Sequence, residues 1–223
     1  MLDWTLVHTV FLDMDGTLLD LHFDNHFWQD YLPLCYATKQ GLSPAAGREA
    51  LMALYRKAEG TLNWYCLDYW SEQLAMDIPL LKQEVDHLIA IHPHVVDFLQ
   101  AVRRAGRRLV LVTNAHGRSL ALKMERTQLA GYFDTLICAH DLGLPKEDPA
   151  FWQRLQSQEP FDPHHTLLVD DSLPVLRSAQ RYGIAHLRGV RCPDSRRPPR
   201  VTEEFIAIES FLELIPATAM GAN

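Results

Sequence analysis

Cysteine is scarce in this chain: Cys35, Cys66, Cys138 and Cys192 stand far apart and form no CxxC pair. That pattern gives neither a disulfide framework nor a zinc-ligand spacing, so free thiols in the cytoplasm are expected. An excess of basic residues is missing as well. Lys and Arg number 21 against 28 Asp and Glu, for a net charge of -7 and a pI near 5.8. A polyanion binder needs clustered cations, so a nucleic-acid polymer is not an expected partner. No window approaches the roughly 18 uninterrupted apolar residues of a membrane span. The first apolar run, Val10-Phe11-Leu12, is cut by Asp13 and has no basic flank, so neither a membrane partner nor a secretory signal is expected. Repeats and low-complexity tracts are absent too. What remains is a globular composition over 223 residues, 48% hydrophobic and 22% charged, enough for one large domain or one domain carrying an insertion.

Five short β-leaning apolar runs stand out: Thr9–Leu12, Leu109–Val112, Thr135–Cys138, Thr166–Val169 and Ile184–Leu187. Four are almost continuously apolar, the signature of strands buried on both faces of a parallel sheet. Helical segments are predicted between them at Ser119–Leu129 and at Leu173–Tyr182, the latter closed by Gly183. The class is α/β, doubly wound. From Asp13 to Leu109 the chain runs far longer than a βα crossover needs, so an insertion must sit there. Its interior reads as helices over Pro44–Ala58, Leu62–Ala75 and Leu80–Ile91, with His92–Gly106 leading back to the sheet. The expected organisation is a core of residues 1–20 and 91–223 carrying a helical cap of residues 21–90. Arg191–Arg200, rich in Pro and Arg, reads as a solvated surface loop rather than a phosphate site.

Polar groups gather where the apolar runs end: Asp13 and Asp15 after the first, Thr113-Asn114 after the second, Asp170-Asp171 after the fourth, with Lys146 beyond the third. In an open parallel sheet, ligands bind outside these carboxyl ends. Each residue alone is an ordinary turn or cap former; together they share one address. Residues i and i+2 of an extended chain point the same way, so Asp13 and Asp15 can face one pocket while Met14 faces away. Gly16 lets the chain turn at once. Crowded carboxylates raise one another's pKa unless a cation compensates, and Mg2+, with its oxygen ligands and retained waters, suits such a site beside a phosphate. Of the pair Asp170-Asp171, an extended backbone sends only one side chain toward the metal.

As an ordered set, Asp13-Met14-Asp15-Gly16-Thr17-Leu18, Thr113-Asn114, Lys146 and Asp170-Asp171 resemble the four motifs of the haloacid dehalogenase (HAD) superfamily. The resemblance implies a HAD-like Rossmannoid sheet with a C1-type helical cap. It also implies a phosphatase in which Asp13 is nucleophile and metal ligand, and Asp15 is general acid and base and offers its backbone carbonyl to the metal. Thr113, the Asn114 backbone and Lys146 would hold the phosphoryl oxygens. Asp171 would ligate the metal directly, with Asp170 behind it. The second carboxylate, Asp15, favours phosphoryl over carbon chemistry. Within the superfamily, the cap segments and motifs look most like nucleotidases that hydrolyse purine nucleoside 5′-monophosphates, GMP and IMP above all, so a purine nucleotide is the implied substrate.

Four aromatics lie within seven residues at Trp64-Tyr65-Cys66-Leu67-Asp68-Tyr69-Trp70. Most are expected to pack the cap's own core. A ring facing the crevice, Trp64 or Tyr69, could stack on a nucleobase, with Asn25 and Asn63 reading its edge. A donor against the shared 6-oxo group would disfavour AMP. His92, His94, His164 and His165 read as helix-entry and turn residues, and Asp134 and Asp141 as turn or cap residues. A phosphatase for sugar phosphates or other small phosphomonoesters stays open at this point, as does a phosphomutase. An inert phospho-ligand sensor fits poorly with the intact set of motif residues.

Overall fold

The computed structural model describes residues 2–216; the end of the expected core segment, 217–223, lies outside them. Six strands, all parallel, form one sheet in the order β3-β2-β1-β4-β5-β6. They are β1 (Thr9–Leu12), β2 (Arg108–Thr113), β3 (Thr135–Cys138), β4 (Thr166–Val169), β5 (His186–Val190) and the short edge strand β6 (Ala207–Ile208). β6 has no counterpart among the predicted runs. β5 begins two residues later than expected, because the helix before it ends on Gly183 at φ 108° and the Ile184 amide turns back to the Ala179 carbonyl.

The continuous apolar runs have a plain physical reason. Val10, Leu12, Leu109, Leu111, Leu167 and Val169 pack on one face of the sheet, while Phe11, Val110, Val112 and Leu168 pack on the other, as period-2 alternation requires. The first face is covered by α6 (Val95–Arg104), α7 (Gly117–Thr127) and the 3-10 turn Phe211–Leu214. The second is covered by α9 (Pro149–Gln158) and α10 (Leu173–Tyr182), with α8 (Ala139–Leu142) at its rim. Among the described residues, no helix is long and apolar enough to cross a membrane.

Between β1 and α6 the chain builds the inserted cap. α1 (His22–His26) runs through a π-helical turn (Phe27–Tyr31) into α2 (Leu32–Gln40), followed by α3 (Pro44–Ala58), α4 (Leu67–Leu74) and α5 (Ile78–Glu84). It has its own apolar cluster, centred on Phe23, Phe27, Leu51, Tyr55, Trp70 and Ile78. The chain enters and leaves the insertion along paired segments: Leu19 bridges Ile91 antiparallel, and the Asp20 amide donates to the Ala90 carbonyl at 2.9 Å. α3 has the predicted bounds, set by the Ser43 N-cap with Pro44 in the first turn.

Three predicted helices are shorter or broken. Residues 62–75 form a 3-10 turn (Leu62–Tyr65) and then α4, because Cys66 is extended (φ -84°, ψ 112°) and caps α4 with its sulfur. Residues 80–91 give only α5 from Ile78 and a 3-10 turn Asp86–Leu88, since Asp77 caps the helix early and Val85 leaves helical geometry. His94, at φ 64°, delays the return helix to Val95. The stretches α1–α2 and α8–α9 were not assigned from sequence.

Candidate active site

The sheet order reverses between β1 and β4, and the crevice at that switch point collects the motif residues. Register aligns Leu12 with Val169 and with Leu111, so Asp13 and Asp170 emerge side by side, with Thr113 one residue further along β2. Asp13 is fixed by its amide donating to the Val169 carbonyl at 3.1 Å. Met14 is fully buried in the core and faces away from the crevice. Gly16 turns the chain at φ 83°, and a Cβ there would stand 2.7 Å from the Asp171 carboxyl, so glycine also makes room for that carboxylate.

Lys146 lies at the centre. Its buried ammonium donates to Asp13 Oδ1 at 2.6 Å, to Asp170 Oδ2 at 2.7 Å and to the Val112 carbonyl at 3.0 Å. The loop that carries it is tied down from beside β2: Asn114 Oδ1 accepts the Lys146 amide at 2.9 Å, and Asn114 Nδ2 donates to Glu147 at 2.9 Å. Thr113 Oγ1 accepts the Ala115 amide at 3.0 Å and stays on the cavity wall.

Oxygens of Asp13, Asp170 and Asp171 all lie within 4.8 Å of one another. Burial pushes the Asp13 carboxyl up to about 6, against the pull of Lys146 and helped by Asp170. Asp171 is raised well above the carboxylate range by burial and by repulsion from Asp13 and Asp170, with Arg200 at 3.2 Å opposing. Two buried carboxylates and a partly buried third, against one ammonium and a half-exposed guanidinium, leave negative charge uncompensated. An oxygen-only donor set with that deficit fits Mg2+. Asp13 and Asp171 would hold the ion, and Asp170, occupied by Lys146 and by the Ser172 amide, would steady the arrangement from behind.

A second charged chain runs from Asp15 into the cap. Lys123 of α7 donates to Asp15 at 2.6 Å and to Asp24 of α1 at 2.7 Å, and Lys82 of α5 donates to the other Asp24 oxygen at 2.7 Å. Lys82 also sits 4.7 Å from the Phe27 ring centroid and 4.8 Å from that of Phe23, in cation–π range. Burial raises Asp15 to about 6, with Lys123 opposing and Asp24 adding to the rise. Burial would raise Asp24 as well, but Lys123 and Lys82 outweigh it and hold that group at about 2.

Above these groups opens a cavity of about 880 Å³ between core and cap. Asp13, Asp15, Thr113, Lys146 and Asp171 form its floor, and Trp28, Arg48, Tyr55, Trp64 and Tyr65 are among its cap-side walls. Trp64 is about one-third exposed and meets Tyr55 edge-on at 5.9 Å.

The other cap residues singled out from sequence fare differently. Asn25 lines the cavity, but its amide is engaged by Asp194 at 2.6 Å and by Gln29 at 3.0 Å. Asn63 is exposed on the 3-10 turn and Tyr69 packs against Trp70; neither is among the lining residues. The 191–200 loop is not merely solvated: residues 195–200 are exposed, yet Asp194 is buried and Arg200 reaches Asp171.

Sequence reasoning missed Lys82, Lys123, Asp24, Glu147 and Arg200. A lysine on the apolar face of an amphipathic helix, as Lys123 is on α7, was the one available signal.

The match to known proteins follows the same geometry. Residues 7–183 match the family model described as "Hydrolase: haloacid dehalogenase-like hydrolase". The chain is 39% identical over 214 residues to "GMP/IMP nucleotidase YrfG" of Escherichia coli (strain K12), covering 96% of each. It is 24% identical over 227 residues to "Phosphoglycolate phosphatase 1" of Pseudomonas aeruginosa, covering 98% of this chain and 82% of that one. Among solved structures, the HAD phosphatase from Thermococcus onnurineus superposes with a TM-score of 0.79 at 21% identity, covering 96% of this chain and 98% of that one.

Proposed function

The chain belongs to the haloacid dehalogenase-like hydrolases, and from that premise we propose that it is a Mg2+-dependent 5′-nucleotidase converting purine nucleoside monophosphates, GMP and IMP foremost, to nucleoside and phosphate. The observation that carries the reading is the 39% identity to the E. coli nucleotidase across 96% of both chains. The cavity supports it, being broad enough for a nucleoside and walled by Trp28, Tyr55 and Trp64 above the phosphate-holding floor. Residues 1–20 and 91–223 form the catalytic core in this reading, and residues 21–90 the cap, which closes over the substrate. We assign it to the cytoplasm, where its four free cysteines would stay reduced.

The chemistry follows from the residues. Thr113, the Asn114 amide and Lys146 take the phosphoryl oxygens and orient phosphorus toward Asp13. An Asp13 oxygen attacks phosphorus, and the bond from phosphorus to the 5′-oxygen breaks. Asp15, its pKa raised to about 6 by burial, gives that oxygen its proton as it leaves. Water then attacks the aspartyl-phosphate, Asp15 takes the water proton, and the bond to Asp13 breaks to free phosphate. Lys123 orients Asp15 throughout. When bound, Mg2+ supplies Lewis-acid neutralisation of phosphoryl charge.

Arg48 is the donor we assign to the 6-oxo group. It lines the cavity and is tied to Asp30 through one guanidinium nitrogen at 3.0 Å. The test is phosphate release from GMP, IMP, AMP, UMP and several sugar phosphates, with and without Mg2+. Comparable rates for AMP, UMP and GMP would remove the 6-oxopurine preference. Faster release from a sugar phosphate or phosphoglycolate would favour a phosphatase for sugar phosphates or other small phosphomonoesters.

A further inference from the structure

Cys66, His116 and His140 converge at the junction of cap and core. The Cys66 sulfur and one ring nitrogen of each histidine lie within 4.8 Å of one another. They come from three segments far apart in sequence: Cys66 caps α4 in the insertion, His116 caps α7 just beyond Asn114, and His140 stands on α8 after β3. No sequence spacing announces the group; the parallel sheet and the descending cap assemble it.

His140 retains a free ligand atom, whereas His116 Nδ1 accepts the Arg118 amide at 3.4 Å, so ligation through His116 Nε2 moves the ring proton to Nδ1 and gives up that weak cap. The Cys66 sulfur accepts the Tyr69 amide at 3.4 Å, a contact that suits a metal-bound thiolate. The rings of His116 and His140 meet at 5.0 Å and 86°. His140 Nε2 is buried without any hydrogen-bond partner, an unsatisfied position that a bound cation would satisfy. Asp68, on the first turn of α4, sets a carboxylate oxygen 3.6 Å from His116 Nε2.

We propose that Cys66, His116 and His140 form a binding site for a zinc-class divalent cation, with Asp68 or a water as fourth ligand, and that the bound ion ties the cap to the core. The donor chemistry selects the ion. A thiolate with two imidazoles suits Zn2+ or Co2+ and disfavours Mg2+, whereas the Asp13–Asp171 carboxylates have the opposite preference. Tetrahedral zinc with sulfur at about 2.3 Å and nitrogen at about 2.0 Å brings its ligand atoms roughly 3.3–3.8 Å apart. From at most 4.8 Å, that is a closure within reach of side-chain motion. All three residues are partly accessible, so an ion can enter. Because Cys66 belongs to the cap and both histidines to the core, occupancy joins two bodies that otherwise meet through hydrogen bonds and packing.

The test uses the full chain, stripped of metal, saturated with Mg2+ and titrated with Co2+. One equivalent should produce a sulfur-to-cobalt charge-transfer band in the near ultraviolet together with the intense visible bands of tetrahedral cobalt, and Zn2+ should displace it. In Cys66→Ser the charge-transfer band should vanish, and in His140→Ala affinity should fall at least tenfold. Absence of the charge-transfer band in the parent protein overturns the proposal, and so does its persistence at equal affinity in Cys66→Ser. The readout is spectroscopic and needs no turnover, so it stands apart from the nucleotidase assignment.

Discussion

At the scale of single residues, the carboxylates at the cavity floor and the cap carboxylate Asp24 titrate in opposite directions. Asp13 and Asp15 have folded pKa values raised from 3.8 to about 6. The folded chain therefore binds more protons than the unfolded chain between those values, and metal-free protein should lose stability as pH rises from about 4 through about 6. Thermal unfolding in chelator should show a higher midpoint at pH 5 than at pH 7, and Mg2+ should shrink the difference by neutralising the Asp13 end. Asp24 behaves conversely. Held at about 2, it gives stability that is present above pH 3.8 and is lost as pH falls toward 2. Asp24→Asn should remove that acid limb and leave two buried lysines short of a counter-charge, costing about 3–5 kcal/mol by the precedent of broken buried pairs, measurable by urea unfolding.

Two further substitutions belong to this scale. Gly16→Ala puts a methyl group 2.7 Å from the Asp171 carboxyl at a positive φ; it should cost about 1–2 kcal/mol in backbone strain and lower phosphate release far more than it lowers stability. Arg48→Met should narrow the ratio of GMP to AMP in kcat/KM by roughly tenfold or more, in line with the loss of a polar contact to a base; an unchanged ratio would move the donor elsewhere.

Among the elements, what the sequence disclosed depended on burial. β1, β2, β3 and β4 could be read because both faces of the sheet are covered, which writes an unbroken apolar run. α3 and α10 could be read because Ser43, Pro44 and Gly183 are local stop and start signals. The chain from Leu62 to Leu88 departs from the predicted helices because local breaks interrupt the apolar periodicity: Cys66 caps α4 with its sulfur while Trp70 Nε1 donates back to the Trp64 carbonyl at 3.0 Å, and Asp77 caps α5. The motif carboxylates were legible from their position after strands. The lysines that hold them were not, since Lys82 and Lys123 become buried only when α1, α5 and α7 meet.

Helix crossing provides a test at this level. On a helix otherwise free of contacts, Gly47→Ala would stabilise by up to ~1 kcal/mol. Here the new methyl would stand 2.5 Å from the Ala37 side chain, where α2 and α3 cross. The variant should instead unfold at lower urea concentration.

Over the whole molecule, polar links tie the cap to the core at several points, among them Lys123 to Asp24, Asn25 to Asp194, Arg126 to Asp86 and Tyr65 to Glu147. The Tyr65 hydroxyl donates to Glu147 at 2.6 Å, and Glu147 in turn accepts from Asn114, which the proposed mechanism sets against the phosphoryl group. Tyr65→Phe should therefore raise KM several-fold with a loss of only about 1 kcal/mol in stability, of the order of one hydrogen bond. Steady-state kinetics alongside a urea titration would separate the two effects.

The reversal of strand order between β1 and β4 also sets a timetable for synthesis. Asp13 is made well before Asp170 and Asp171, which arrive only after Thr166–Val169 has been made and has slotted in beside β1. Until then the nascent chain lacks part of its acidic cluster, and truncation between β1 and β4 should yield a product that releases no phosphate in the proposed reaction.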